Sequence, residues 1–163
     1  MQRNPARRFV VLALLALLPL RAVASDVLRP APGFTGGREA GRSITLASLR
    51  GNPVLLVIAH TPRDRAFRSQ MGRLRGYYER MSSRGVLCFA AFTAEGGRIP
   101  SNIPFILVND PGSVASQYGA GNFAVAVIGP DGNLDCLSSV PLPGQRVLDL
   151  MENNASLQSL LRR

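Results

Sequence analysis

The chain contains few side chains that can act as nucleophiles or as metal ligands. Its 163 residues include two cysteines, Cys88 and Cys136, and one histidine, His60. The cysteines do not form a C-x-x-C pair, and neither has a histidine beside it. Because zinc needs a closed set of closely spaced cysteine and histidine ligands, the sequence predicts no metal site, and no motif in it implies a cofactor.

Both cysteines lie in segments that are typical of strands. Cys88 lies in the apolar run GVLCFAAF, which predicts a buried strand, and Cys136 lies in NLDCLSSV, which predicts a strand near a sheet edge. Buried cysteine commonly serves as a small apolar side chain. The alternative is a thiol enzyme in which Cys136 attacks and Cys88 resolves. At about 4.8 Å per strand step, two or three steps between the cysteines would exceed the reach of a disulfide.

One segment combines a histidine with cations at the predicted start of a helix. His60 ends an apolar run, and Thr61 is a suitable first cap for the helix that follows. Free N–H groups and the dipole at a helix start favour an anion, and Arg63 and Arg65 lie within a turn of them. The segment is therefore a candidate site for a carboxylate, a phosphate or a protein that carries one. Asp64 competes for the same donors, so the alternative is a capped helix with solvated arginines.

His60 itself has two interpretations. It stands at the carboxyl end of the predicted central strand, where open α/β sheets bind ligands, and a histidine there can make a pH-sensitive contact. The sequence shows no serine, cysteine or acid partner that would make it a general base. The alternative is a structural hydrogen bond.

The first 24 residues form a pattern that is typical of a secretory signal peptide. Residues 1–8 are basic, residues 9–20 are apolar, and Ala22 and Ala24 are the small residues that signal peptidase reads. The apolar run is shorter than the ~20 residues of a membrane-spanning helix. The pattern predicts cleavage before Ser25 and export to the periplasm or out of the cell, with an uncleaved anchor as the alternative. No later segment is long and apolar enough to span a membrane.

The positive charge of the chain does not favour nucleic acid as a partner. The 19 basic residues are all arginine, and there are 10 acidic residues. Four arginines belong to the predicted signal peptide, so cleavage lowers the formal charge from +9 to +5. The remaining arginines are not interleaved with aromatic residues, as the chain has no tryptophan and three tyrosines. The sequence therefore predicts no nucleic-acid binding.

The segments that must position these residues alternate between strands and helices. Prolines and a glycine pair predict an irregular segment over residues 25–40, followed by one domain over residues 41–153. The predicted strands cover residues 53–59, 86–92, 105–109, 123–128 and 134–140, with a hairpin turn at 130–133. The predicted helices cover residues 61–83, 110–118 and 145–152, and a break at Asn153-Asn154 precedes an amphipathic tail over residues 154–163. This order predicts an α/β domain with a mixed sheet.

The helix predicted over residues 61–83 has two distinct faces. Its apolar residues are spaced by three or four positions and predict a stripe that faces a core: Phe67, Met71, Leu74, Tyr78 and Met81. The opposite face carries arginines: Arg65, Arg68, Arg75 and Arg80. Gly72 and Gly76 each cost about 1 kcal/mol relative to alanine in a helix, so we expect the helix to pack closely against the sheet at these positions.

Three separated blocks resemble the redoxin superfamily, which includes peroxiredoxins and exported thiol-disulfide oxidoreductases. The blocks are residues 31–34 with 44–56, residues 108–120 and residues 127–132, in the order in which the family has its corresponding segments. The resemblance covers residues 31–152. It implies a thioredoxin-like three-layer sandwich, with a mixed central sheet and helices on both faces. The chain is also similar to a thioredoxin-like family of unknown function that lacks conserved cysteines.

The residues that carry the chemistry of the redoxin superfamily are missing from the matching positions. The resemblance places the paired cysteines of the thiol-disulfide branch at Arg63 and Ala66, and residues 60–68 contain no peroxidatic cysteine. The family's cis-proline falls near Phe123 or Ala124, where this chain has no proline. Without a thiolate at the helix start, the redox reaction of this family has no attacking atom there.

Two functions from different classes follow from these observations. The first is an exported noncatalytic module that binds a protein or a small oxyanion through the surface around five residues: His60, Thr61, Arg63, Arg65 and Phe123. The second is a thiol-dependent oxidoreductase or peroxidase that uses the two relocated cysteines. The missing cysteine motif favours the first.

Overall fold

The structure is a computed structural model that describes residues 25–38 and 42–161. The predicted signal peptide, residues 1–24, lies outside the described residues. Eight strands form one sheet in the order β1-β8-β7-β4-β5-β6-β2-β3. The strands are β1 Ser25–Pro30, β2 Thr35–Arg38, β3 Arg42–Thr45, β4 Val54–Ala59, β5 Leu87–Phe92, β6 Phe105–Val108, β7 Phe123–Ile128 and β8 Asn133–Ser138. The α-helices are α1 Arg65–Leu74, α2 Tyr78–Ser82, α3 Pro111–Gln117 and α4 Gly144–Leu161, and Leu46–Leu49 is a short 3-10 helix.

The central strands are those whose sequences are apolar on both faces. All six residues of β4 and all six of β7 are buried. Strand β4 is parallel to β5, with Val54 beside Leu87, and antiparallel to β7, with Val54 beside Ile128. Such strands need cover on both sides because neither of their faces is polar enough to meet water.

Helices supply that cover and divide the core into two layers. Helices α1, α2 and α4 pack on one face of the sheet through buried residues: Phe67, Met71, Leu74, Met81, Val147, Leu148 and Met151. Helix α3 and the 3-10 helix pack on the other face through a second set: Leu46, Leu49, Val114, Ala115 and Tyr118. The predicted three-layer α/β sandwich with a mixed central sheet is confirmed.

The segment predicted to be irregular, residues 25–40, contains two strands, so that prediction was wrong. Strand β1 pairs with β8, and β2 pairs with both β3 and β6. Gly36 marks close packing in β2, since a Cβ atom there would lie 2.7 Å from the ring of Phe89. Glycine generally weakens a strand, but this strand requires it because the Phe89 side chain leaves no room for a Cβ atom at this position.

Two of the predicted helices were also wrong in their boundaries. The helix expected over residues 61–83 begins at Arg65 and is divided into α1 and α2 by a turn at residues 75–77. That turn brings the ring of Tyr77 against Gly144, the first residue of α4. The break expected at Asn153-Asn154 does not occur, and α4 continues to Leu161. Asparagine costs less than about 0.7 kcal/mol in a helix, which does not end a long one.

Within residues 25–38 and 42–161, none of the helices combines the length and the apolar character that crossing a bilayer requires.

Candidate functional site

The end of β4 brings His60 beside the loop that follows β5. Because the two strands are parallel and Ala59 lies beside Phe92, both chains leave the sheet at the same edge. His60 is exposed, and its Nδ1 lies 2.7 Å from Oγ1 of Thr93. The backbone oxygen of His60 accepts a hydrogen bond from the N–H of Ala94 at 3.1 Å. The imidazole is thus held by a hydroxyl group, which is the structural interpretation of this residue.

The carboxylate of Asp64 occupies the backbone donors that precede α1. Its Oδ2 accepts from the N–H of His60 at 2.9 Å and from the N–H of Thr61 at 3.1 Å. The Thr61 hydroxyl donates to Oδ1 at 2.8 Å and accepts from the N–H of Arg63 at 3.2 Å. Desolvation acts to raise the pKa of Asp64, but these hydrogen bonds and the charge of His60 together lower the pKa below its ordinary value.

The predicted oxyanion site on these backbone groups is therefore filled by the chain itself. Asp64 is the cap residue of α1, but its side chain makes no hydrogen bond to the helix and turns back to His60 and Thr61. Asp64 thus takes the N–H groups that an anion would need, as expected from the sequence. Thr61 lies in a turn before α1 and does not cap the helix.

The side chains of Arg63 and Arg65 belong to a larger feature, which we call the arginine groove. It has a volume of about 960 Å³ and runs along α1, facing the loop between β5 and β6. Its lining consists of Pro62, Arg63, Arg65, Arg68, Ser69, Met71, Gly72, Arg75, Arg98 and Pro100. Half of these residues are arginines, and none is acidic.

The arginines of the groove are not neutralised by the described part of the chain. None of their five guanidinium groups has an ion pair or a hydrogen bond among the described residues. Elsewhere, arginines do have such partners: Arg84 lies 2.7 Å from Glu152, and Arg73 donates to the backbone oxygen of Pro141 at 2.8 Å. A concave surface with charge of one sign focuses the electric field and attracts anions.

A smaller cavity of about 160 Å³ adjoins the groove. It lies between Thr61 to Arg63 and the loop residues Glu95 to Arg98, with Arg63, Arg98 and Pro62 shared between the two cavities. Glu95 is the one acidic residue in its lining, and it places a negative charge at this end only. The remainder of the groove, along α1, keeps its uniform positive charge.

Gly72 lies in the middle of α1 and faces the groove. A Cβ atom at this position would meet no atom within 4 Å, and the same holds for Gly76. The expectation that both glycines pack closely against the sheet was therefore wrong. The open space above Gly72 is the groove itself.

Phe123 is buried, with 6% of its surface exposed, and it lies beside Ala59 in the sheet. Its ring packs in the same core layer as Phe92 and does not line the groove. The structure thus brings His60, Thr61, Arg63 and Arg65 to one edge of the sheet, whereas Phe123 is buried in the core and does not contribute to the surface expected there.

The two cysteines lie in one row across the sheet. Cys136 is beside Val127, Val127 is beside Leu55, and Leu55 is beside Cys88. Three strand steps separate them by about 14 Å, well beyond the Cα separation of a disulfide. Both are buried, and burial raises the pKa of the Cys88 thiol to about 12 because the thiolate would lose its hydration.

Three residues of the groove were not identified from the sequence as candidates for binding. The first two are Arg68 and Arg75, which lie three and ten positions after Arg65. Helical periodicity places them on the same face as Arg65, so the sequence contained the signal for both. Arg98 had no such signal because its position depends on how the loop after β5 folds back over α1.

Comparisons with known proteins identify the fold. No family model and no curated protein matches the chain. Among solved structures, the thioredoxin domain of a thiol-disulfide oxidoreductase from Bacteroides vulgatus has a TM-score of 0.60 at 19% identity, covering 77% of this chain and 94% of that one. A 2-Cys peroxiredoxin from Plasmodium vivax has a TM-score of 0.60 at 17% identity, covering 85% and 100%. A secreted thiol-disulfide isomerase from Corynebacterium glutamicum has a TM-score of 0.59 at 15% identity, covering 82% and 92%.

These structures are of the kinds that the sequence resembles, so the resemblance is confirmed at the level of the fold. The cysteines of this chain lie in β5 and β8 and not at the start of α1. The chain therefore has the thioredoxin-like fold, with Arg63 and Ala66 at the positions where the sequence resemblance places the redox cysteines.

Proposed function

We propose that this chain is an exported thioredoxin-like module that binds an anionic partner in the arginine groove and performs no thiol chemistry. The observation that carries the proposal is the set of five arginines that line one groove without an acidic partner among the described residues. The partner is a small oxyanion or a protein that presents carboxylates or phosphates.

The absence of thiol chemistry is argued from where the sulfur atoms lie. Thiol-disulfide exchange needs a thiolate that a substrate can reach. Cys88 is 4% exposed and Cys136 is 1% exposed, and neither lies near the helix start. The high pKa of the Cys88 thiol keeps it protonated near neutral pH.

Export is argued from the pattern of the first 24 residues and has support from the comparisons. The basic, apolar and small-residue regions stand in the order of a signal peptide. One of the similar structures, from Corynebacterium glutamicum, is described as secreted. We infer that the functional protein begins at Ser25 and acts in the periplasm or outside the cell.

Arginine suits the proposed binding because its planar guanidinium forms paired, charge-assisted hydrogen bonds with carboxylates and phosphates. Each such bond contributes roughly 1.5–3 kcal/mol before the costs of association. The guanidinium groups of the groove are exposed, so we expect binding to weaken as salt is added.

The test compares groove variants with a matched control on the opposite side of the sheet. Arg65→Gln and Arg68→Gln each remove one charge from the groove. Arg50→Gln removes the same charge at the end of the 3-10 helix, which packs on the other core layer. Binding of inorganic phosphate and of a glutamate-rich peptide is followed through backbone amide shifts.

We expect both groove variants to weaken binding several-fold and the Arg50 variant to leave it nearly unchanged. The shifts should concentrate on α1 and on the loop around Arg98. Equal weakening by all three variants would show a general effect of net charge, and the proposed site would be wrong.

A further inference from the structure

Gly72 gives the arginine groove an open floor. It is exposed and lies inside α1, where glycine costs about 1 kcal/mol relative to alanine. Nothing in the fold requires the missing side chain, since a Cβ atom would meet no atom within 4 Å. The gain from glycine is space: a ligand can approach the helix backbone at this point more closely than any side chain would permit.

The arginines of α1 are spread too far apart for one small anion. From Arg65 to Arg75 the helix rises ten residues, or about 15 Å at 1.5 Å per residue. A single phosphate or carboxylate contacts one or two guanidinium groups at a time. An extended chain of four or five residues, at about 3.3 Å each, spans the same distance.

The lining of the groove is apolar between its charges. Pro62, Met71 and Pro100 lie among the arginines, and Arg98 faces α1 from the loop between β5 and β6. Apolar contacts of this kind suit the main chain and the aliphatic carbons of a peptide, whereas a polyphosphate has only charged oxygens to offer. A concave site also does not fit the broad surface of a membrane.

We infer that the arginine groove binds an extended segment of a partner protein that is rich in aspartate or glutamate, with its main chain passing over Gly72. This inference rests on the proposed function and specifies its ligand. The carboxylates pair with Arg65, Arg68 and Arg75 along one side, and Arg98 closes the other side.

The test uses acetylated glutamate peptides of increasing length, from a dipeptide to an octapeptide, with affinity measured by calorimetry. We expect affinity to rise steeply up to four or five residues and then to level off, because further residues lie beyond the arginines. Inorganic phosphate should bind more weakly than the tetrapeptide at the same salt concentration.

Gly72→Leu fills the floor of the groove without changing its charge. We expect it to weaken binding of the longer peptides about tenfold, which corresponds to 1.4 kcal/mol, and to weaken phosphate binding by a smaller factor, because a single phosphate need not pass over the helix backbone. Gly76→Leu is the matched control, because Gly76 also has open space around it but does not line the groove. Leucine favours the helix over glycine at position 72, and Gly76, in the turn after α1, has neither a positive φ nor an atom within 4 Å of an added Cβ. Both variants should therefore fold, and thermal melting verifies this.

Each remaining outcome has a defined meaning. Affinity that does not depend on peptide length, or full peptide binding by Gly72→Leu, overturns the extended-segment inference and leaves anion binding intact. Tighter binding of polyphosphate, or of vesicles of phosphatidylcholine and phosphatidylglycerol, than of peptides of equal charge overturns the choice of a peptide. If neither phosphate nor any peptide binds the wild-type protein, the proposed function itself is wrong.

Discussion

Gln70 ties α1 to the loop before α4, and its replacement measures what that contact contributes. The side chain is fully buried, its Oε1 accepts from the N–H of Leu142 at 2.7 Å, and its Nε2 donates to the Leu142 oxygen at 3.2 Å. Gln70→Leu keeps the volume but leaves two buried backbone groups unpaired, at a cost of about 2–6 kcal/mol. The buried leucine returns about 1.5–3 kcal/mol. We expect a net loss of roughly 2 kcal/mol in the free energy of unfolding.

Gln70→Glu makes the same contact dependent on pH. A protonated carboxyl group can accept from the N–H of Leu142 and donate to its oxygen, as the amide does. An ionised carboxylate would be buried against that oxygen, so the folded-state pKa of the introduced carboxyl must rise above its unfolded value of about 4.3. The stability that the contact provides is therefore fully present below the unfolded pKa and is lost as pH rises through the folded pKa.

Thermal unfolding followed by circular dichroism between about pH 4 and about pH 8 distinguishes the two effects. A loss of about 2 kcal/mol lowers the melting temperature by roughly 4–8 °C at this chain length. We expect Gln70→Leu to melt below wild type at every pH and Gln70→Glu to approach wild type at the acid end alone. If Gln70→Leu melts with wild type, or if the Gln70→Glu curve runs parallel to wild type, the reasoning about this contact is wrong.

Further predictions concern the candidate site, the cysteines and the predicted signal peptide. Asp64→Ala should strengthen phosphate binding near Thr61, because it frees the backbone donors that the carboxylate occupies, and amide shifts that do not move there would contradict this. The pKa of Asp64 is lowered in the folded protein. Its contribution to the stability of the fold is therefore present above its unfolded pKa and is lost as pH falls through the folded pKa. Neither cysteine should react with a thiol reagent before global unfolding, and the protein should neither reduce insulin disulfides nor consume peroxide. Turnover that Cys136→Ser abolishes would support the alternative of a thiol enzyme, and Cys88→Ser is the comparison variant. The intact mass of the exported protein should correspond to a start at Ser25, and a mature form that retains residues 1–24 would refute cleavage of the signal peptide.

The central sheet was predictable because its information is local. The runs of β4, β5 and β7 are apolar on both faces, which is typical of strands that helices cover on both sides. Strands β1 and β2 were missed because their pairing depends on residues far along the chain. In the sequence Gly36 indicates an irregular segment, and only the contact with Phe89 shows why a strand has a glycine there.

The candidate site was predictable in part, for the same physical reason. Helical periodicity puts Arg65, Arg68 and Arg75 on one face, and a carboxylate near a helix start predicts competition for the N–H groups there. The groove needs a second wall, however, and Arg98 arrives on a loop whose path no periodicity describes. Gly72 was expected to pack closely because sequence alone does not distinguish a glycine that neighbouring atoms contact from one in open space.

The pairing of the outer strands sets the order in which this chain can fold. Strand β1 pairs with β8, where Ser25 lies beside Leu137, and β2 pairs with β6, where Gly36 lies beside Val108. Neither N-terminal strand can therefore complete its pairing until a partner much later in the sequence is present. Contacts of such long sequence separation slow folding, and edges left open in the meantime are prone to aggregation. A chain that becomes available from its N-terminus therefore cannot complete either side of the sheet until β6 and β8 are present.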